Sequence, residues 1–465
     1  MTPTADMLQS PETLHRSMSP VTHELSSFAL NARWHAFPDA VRAETLRALI
    51  NWLGCAVGGS NTATADSAVR GFQALGRTPN ATVLGRRERL DFIDAAVVDS
   101  ISSSAHTFDD THLKTITHPT GPVACACLAF AQRHRISGEA LLAALAVGIE
   151  IECRVATAIA SPGSGYHKGW YMTGLTGGIG VAAALARLMG LEARQAISAM
   201  SLAAGLAGGT RATHGSMAIA YVPAAAARHG ITSAFLARAG FDCSDIAIDG
   251  RNGLFDVVAP QARAADVLAG LGSEFELLNN ALKPYPCGIV IHPAIDACLE
   301  LASNGAFDEA AIERVELDVH QDAMTLCWRK LPPTPLEAQV SLFHWVAVTL
   351  LQGAAGIDQV ERASVGDERV RALQARIFPK VSDHLASDQA VVEITLRGGE
   401  RRHARVEHAT GSIARPMSEA ELDAKFLSLA QRVLSAQQAG DLLQECRHIA
   451  TSDDAGQLAK LGVPA

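Results

Sequence analysis

Apolar residues recur at helical spacing over most of the first 270 positions of this chain. In AVRAETLRALINWLGCAVGG (residues 40–59), Val41, Leu46, Leu49, Ile50, Leu53 and Val57 fall on one helical stripe, and Gly58-Gly59 ends it. The same periodicity predicts helices over 93–106, 122–134, 138–160, 174–189, 193–208, 223–239 and 261–270. Several, such as GIGVAAALARLMGL (residues 178–191), are Ala-rich and apolar nearly all round, which predicts burial on most sides.

Near residue 275 the period changes. ERVELDVH (Glu313 to His320) alternates, with Val315, Leu317 and Val319 on one face. Val392, Ile394 and Leu396 do the same, and a Gly398-Gly399 turn leads into a return strand. Helices are predicted around this pair at 293–303, 337–353 and 368–376. After Pro416, Ser418 and Glu421 make a capping-box pair that opens a last helical section. The pattern therefore divides the chain into a loose polar extension (1–22), an all-helical domain (23–274), a smaller α+β domain (275–410), and C-terminal helices (411–465) that pack back on the first domain.

Composition narrows this picture. Of the 465 residues 48% are hydrophobic but only 5% aromatic, which favours closely packed, Ala- and Gly-rich helices in two domains. The net charge of −9 argues against nucleic acid as a partner, because that needs a basic face. The nine cysteines are scattered and include no C-x-x-C, so neither a disulfide framework nor a zinc or iron–sulfur site is expected. Reduced thiols fit a cytoplasmic protein. No apolar run is long enough to span a bilayer, and the N-terminus lacks the basic start and apolar run of a secretory signal.

The candidate chemistry is concentrated in FDDTHLKTITHPTGPV, Phe108 to Val123. It holds Asp109, Asp110, Thr111, His112, Lys114 and His118 directly ahead of an apolar helix. Pro119 disfavours helix at His118, so the imidazole stands at the mouth of the next helix, where it can meet a substrate carboxylate or move a proton. Asp109 and Asp110 can instead cap that helix or orient His118. The glycine-rich stretch 163–180 follows a helix and lacks the context of a nucleotide loop.

This segment resembles the signature of the MmgE/PrpD family, whose members include 2-methylcitrate dehydratase, cis-aconitate decarboxylase and iminodisuccinate epimerase. Similar blocks follow in family order: Gly169-Trp170 to Gly180, the Gly-Leu-Glu near Gly190, Gly215-Ser216-Met217, LKPYPCGIVIHPAID (Leu282 to Asp296) and Glu337 to Gly356. The resemblance implies a large all-helical domain, a smaller α+β lid, an active site between them, and a homodimer. It also implies small di- or tricarboxylate substrates handled without a cofactor or metal. His118 matches the family's active-site histidine, Asp109, Asp110 and Thr111 its Asp-Asp-Thr, and Lys283 its positioning lysine.

Three positions depart from the family pattern. Thr107 replaces an Asp, Tyr171 replaces a His, and Ile219 replaces an active-site Lys. Tyr171, or His167 four residues earlier, is the substitute for the lost imidazole. Arg211 and His214 are the nearest groups able to take over carboxylate binding from the lost lysine. Tyr285, beside Lys283, and His344, intruding on an apolar helix, complete the candidate set; for His344 a hydrogen-bonded core histidine is an equal reading. The expected activity is a lyase of the 2-methylcitrate dehydratase type. A dicarboxylate epimerase, a cis-aconitate decarboxylase-like enzyme, and a binding protein that has lost catalysis are the alternatives.

Overall fold

The computed structural model describes residues 20–161 and 169–465 and is mainly helical, with two domains. The first domain contains α1 (Pro20–Asn31), α2 (Asp39–Gly59), α3 (Ala63–Gln73), α4 (Phe92–Ser104), α5 (Thr120–Arg133), α6 (Gly138–Ile159), α7 (Met172–Leu188), α8 (Ala193–Gly205) and α9 (Ala218–Arg238). The predicted helices are present with boundaries shifted by a few residues. The exception is 261–270, where only the short helix Ala264–Leu268 forms.

These helices pack closely because glycine faces glycine. At the α6–α7 crossing a Cβ on Gly148 would lie 2.9 Å from the Gly180 carbonyl and 2.5 Å from Val123. Both helices are buried almost throughout, as their all-round apolar sequences predict. The C-terminal helix Glu419–Ala430 docks on α2 in the same manner: a Cβ on Gly58 would sit 2.9 Å from Leu429, and one on Gly54 3.0 Å from Phe426. Its capping box, Ser418 with Glu421, forms as read from the sequence.

The strands are β1 (Ala81–Thr82), β2 (Arg89–Leu90), β3 (Asp110–His112), β4 (Asn280–Leu282), β5 (Ile312–Val319), β6 (Ile377–Val381), β7 (Ala390–Leu396) and β8 (Arg401–Val406). The predicted hairpin is β7–β8, and β5 lies antiparallel to β7. The sheet carries one strand more than the sequence pattern predicts. β6 (IFPKV) pairs parallel with β5, completing the order β6-β5-β7-β8. Pro379 and the edge position explain why the strand is hard to read: its alternation is weak and half its hydrogen bonds are unused. The predicted helix 337–353 is also broken, into Pro335–Ala338 and Leu342–Gln352, with Ser341 capping the second piece at the His344 amide. Among the described residues no helix is long and apolar enough to cross a membrane.

The pair β3–β4 matters most for the site, because it ties the candidate segment to the stretch just ahead of residue 285. Its register sets Asp110 opposite Leu282, Thr111 opposite Ala281 and His112 opposite Asn280.

The glycine packing gives a paired prediction. Gly148→Ala destabilises the protein by about 1–3 kcal/mol through overpacking, although alanine is the better helix former. Gly71→Ala, on α3 with nothing within 4 Å of the new methyl, stabilises it by about 0.5–1 kcal/mol. Denaturant melts of both variants check the opposite signs.

Candidate active site

Two residues with left-handed backbone bracket the candidate segment: Thr107 (φ 51°) and Ile116 (φ 53°), both β-branched. Such residues avoid this region, so tertiary contacts must hold them there. Thr107 Oγ1 donates to Gln339 Oε1 at 2.7 Å, and the Gln339 amide reaches back to the Ala105 carbonyl at 3.1 Å. At the other end the His112 amide donates to the Thr117 carbonyl at 2.8 Å, closing the turn that carries Ile116.

His118 follows this turn. Its Nδ1 lies 2.7 Å from the Asp110 backbone carbonyl, 3.2 Å from Thr111 Oγ1 and 3.8 Å from Asp109 Oδ2. A carbonyl can only accept, so Nδ1 carries the proton and Nε2 keeps its lone pair in the neutral ring. The His118 amide donates to Thr173 Oγ1 on α7 at 2.9 Å, which ties the residue to the helix that follows Tyr171. Burial pushes the imidazole below its usual range; the Asp109 charge only partly opposes this. The group is therefore a neutral base at pH 7.

The two neighbouring carboxylates do different things. Asp109 takes the Lys283 ammonium at 2.5 Å, with Lys283 also donating to the Thr107 carbonyl at 3.3 Å. Burial alone would raise the Asp109 carboxyl, but Lys283 and then His118 outweigh it and hold it below the ordinary range. Asp110 meets His118 through its backbone carbonyl and spends its carboxylate on other donors. Its Oδ2 accepts from Asn280 Nδ2 at 2.6 Å, from the Thr120 amide at 3.3 Å and from the Thr120 hydroxyl, capping α5. Burial raises this carboxyl despite those bonds.

His118 opens into a cavity of about 400 Å³ between the two domains. Trp170, Tyr171, Arg211 and His214 line it from the helical side, and Gln321, Asp322 and Thr325 from the other domain. Backbone bonds from Tyr171 to Gly209 (3.1 Å) and from Arg211 to Gly169 (2.8 Å) hold the two helical-side segments together. The Tyr171 ring is 6.0 Å from His118 and 5.6 Å from His214, centroid to centroid. Burial, then the charges of Asp109 and Glu152, raise the Tyr171 phenol well above its usual value, so it stays protonated. Burial and the nearby cations lower His214 to about 4, and its Nε2 has no hydrogen-bond partner among the described residues.

The other candidates lie elsewhere. Lys283 and Asp109 form a buried support behind His118 and do not line this cavity. The Tyr285 hydroxyl donates to Asp296, and its ring lines a different, larger cavity of about 570 Å³ with Lys425 and Arg432. Those two cations are already engaged: Lys425 by three oxygens at 2.7 Å (Asn51 Oδ1 and the Phe108 and Lys283 carbonyls), Arg432 by Asp358 and Glu361. The smaller cavity is the stronger candidate because it holds a neutral base. His344 is fully buried, with Nε2 2.7 Å from the Gln359 carbonyl. Ile219 is half-buried and does not line the His118 cavity. His167 lies outside the described residues.

Sequence reasoning did not single out Lys425, Thr173, Thr120, Asn280, Gln339 or Asp322. For Lys425 a signal exists: a lysine stands on the stripe of Leu422, Phe426 and Leu429, where an ammonium has to find buried partners.

The family pattern of the MmgE/PrpD N-terminal domain matches residues 23–265, and that of the MmgE/PrpD C-terminal domain matches residues 285–449. The chain is 25% identical over 442 residues to cis-aconitate decarboxylase of Homo sapiens, covering 91% of this chain and 90% of that protein. It is 25% identical over 473 residues to cis-aconitate decarboxylase-like protein oryM of Aspergillus oryzae (95% and 97% covered). A cis-aconitate decarboxylase of Aspergillus terreus is 24% identical over 447 residues (89% and 90% covered).

The support behind His118 is testable. Lys283→Met strands the Asp109 charge in the interior and costs about 3–5 kcal/mol, most of which Asp109→Leu in the same chain restores. Because the Asp109 carboxyl is lowered in the fold, the contribution of the pair is complete above about pH 4 and is lost as pH falls through the lowered value. The gap in melting temperature between wild type and Lys283→Met should therefore narrow on acidification, starting where the unpaired buried Asp109 of the variant takes up a proton and ending as pH falls through the lowered wild-type value.

Proposed function

Since this chain belongs to the MmgE/PrpD family, we propose that it is an enzyme acting on a small di- or tricarboxylate, a cofactor-independent lyase. The observation that carries this reading is the orientation of His118: Nδ1 held by the Asp110 carbonyl at 2.7 Å, a lone pair on Nε2, and a protonated phenol one ring away. In this mechanism Arg211 and His214 Nε2 bind substrate carboxylate. His118 Nε2 removes a proton from the adjacent carbon, and the enolate-like charge is stabilised by the same donors. Tyr171 gives its proton to the departing hydroxyl, which leaves as water.

The same pair supports decarboxylation, the activity that names the relatives. There CO2 departs leaving the bonding electrons on the substrate, and Tyr171 protonates the resulting carbanion. Epimerisation would need the proton returned to the opposite face of the same carbon, again from the Tyr171 side. We assign Asp109, Thr111 and Lys283 to positioning His118 rather than to contact with substrate, and Asp110 to the same task through its backbone carbonyl. Tyr285 and His344 take structural roles in this reading. We take the division at 274 and 410, the homodimer and the cytoplasmic location as parts of the same proposal.

Proton NMR in D2O with 2-methylcitrate, citrate, cis-aconitate and iminodisuccinate tests it. A new alkene signal with water loss identifies a hydro-lyase, loss of CO2 a decarboxylase, and deuterium exchange at an α carbon without elimination an epimerase. His118→Ala should lower the detected turnover by about 10²–10⁴-fold with an unchanged melting temperature, and Tyr171→Phe should do so by a similar factor. Undiminished turnover in His118→Ala would refute the assignment.

A further inference from the structure

The helices that follow the two proton-transfer candidates converge on one buried acid. α5 begins two residues after His118, and α7 begins directly after Tyr171. Glu152 of α6 reaches into the wedge between their first turns. A Cβ on Gly177, in the second turn of α7, would lie 3.4 Å from Glu152 Oε1 and 3.2 Å from Pro122, in the first turn of α5.

Glu152 is fully buried, and among the described residues the one hydrogen-bonding neighbour of its carboxyl is the Thr176 hydroxyl. That hydroxyl also donates to the Met172 carbonyl at 3.1 Å. A carboxylate in such a place is far more costly than a neutral acid.

Among the described residues the groups around it supply no cation. Asp110 approaches from β3 and Tyr171 from ahead of α7. Cys153 lies beside it on α6. Pro122 of α5 and Ala226 of α9 are the apolar neighbours at Gly177. Arg154 of the same helix is taken by Glu150 at 2.6 Å and by backbone carbonyls at 267–274. Glu276, ahead of β4, is taken by His112 and Lys114. Burial first, and the Asp110 charge second, push the Glu152 carboxyl well above the ordinary range.

We infer that Glu152 is a positioning residue for the His118–Tyr171 pair: a buried carboxyl packed between the two helices that follow them, whose ionisation would put a negative charge behind the site. The inference rests on the reading of these two residues as proton-transfer groups. While Glu152 holds its proton, it adds no negative charge behind the α7 N-terminus that follows Tyr171, and a bound anion is still favoured there. Once it ionises, the added charge repels a carboxylate and binds the Tyr171 proton more tightly.

Glu152→Gln keeps the shape and removes the proton equilibrium. Between the ordinary carboxyl range and the raised native value, wild-type folding takes up one proton that the variant does not need. The folding constant of the variant should therefore gain tenfold over wild type for each pH unit above about 5, and the melting-temperature gap should widen from pH 5 to pH 8. Calorimetry with cis-aconitate as the probe should show affinity falling at alkaline pH in wild type, with the fall reduced in Glu152→Gln. Parallel melting curves, or coincident affinity profiles, would overturn the inference. So would failure of both Glu152→Gln and Glu152→Met to fold, because a neutral carboxyl is replaceable by a neutral side chain of similar length. Absence of cis-aconitate binding to wild type at every pH would count against cis-aconitate as a ligand of the proposed enzyme; the melting curves, which need no ligand, then decide on Glu152.

Discussion

The buried ion pair between Asp109 and Lys283 is the contact on which the geometry of the site depends. It joins the loop after α4 to the first residue after β4, two parts of the chain 174 residues apart. Taking both charges out of water is costly, and only good geometry and extra hydrogen bonds offset that cost. Here the bonds exist: Lys283 also reaches the Thr107 carbonyl, and Lys425 grips the Phe108 and Lys283 carbonyls from the far side. With the segment clamped at 108–109 and paired at 110–112, two β-branched residues can be held at positive φ on either side of it. The product of that constraint is the Asp110 carbonyl aimed at His118.

Electrostatics then separates three adjacent rings. Burial lowers His118 and His214 and raises Tyr171, so at neutral pH the cavity holds two uncharged imidazoles and a protonated phenol. One cause, desolvation, thus yields a base and an acid side by side. Asp109 moderates the effect on His118 without touching the cavity. In the proposed mechanism the fixed cation is Arg211, a different solution from the lysine that Ile219 replaces.

The helical domain was legible because its helices are long, periodic and Ala-rich, and the β7–β8 hairpin because its alternation is regular and its turn is Gly-Gly. β6 was not, since an edge strand containing Pro379 has neither signal. Around the candidate site, the motif names His118, Asp109 and Lys283, which the structure brings together. It could not show that the Asp110 carbonyl meets His118, because a backbone contact leaves no mark on residue type. Tyr285 and His344 looked like site residues from their chemistry alone; Asp296 and the Gln359 carbonyl, distant or unremarkable in sequence, are what they meet. Glu152 was hidden for the opposite reason, since GIEIECR reads as one more stretch of a buried helix beside the Glu150–Arg154 pair.

The central claim is that His118 presents an unprotonated Nε2 to the cavity. Nitrogen-15 NMR of the imidazole ring at pH 7, with His118→Ala to assign the signal, tests it most directly. A neutral ring with its proton on Nδ1 is the expected result. A proton on Nε2, or an imidazolium at that pH, would contradict it.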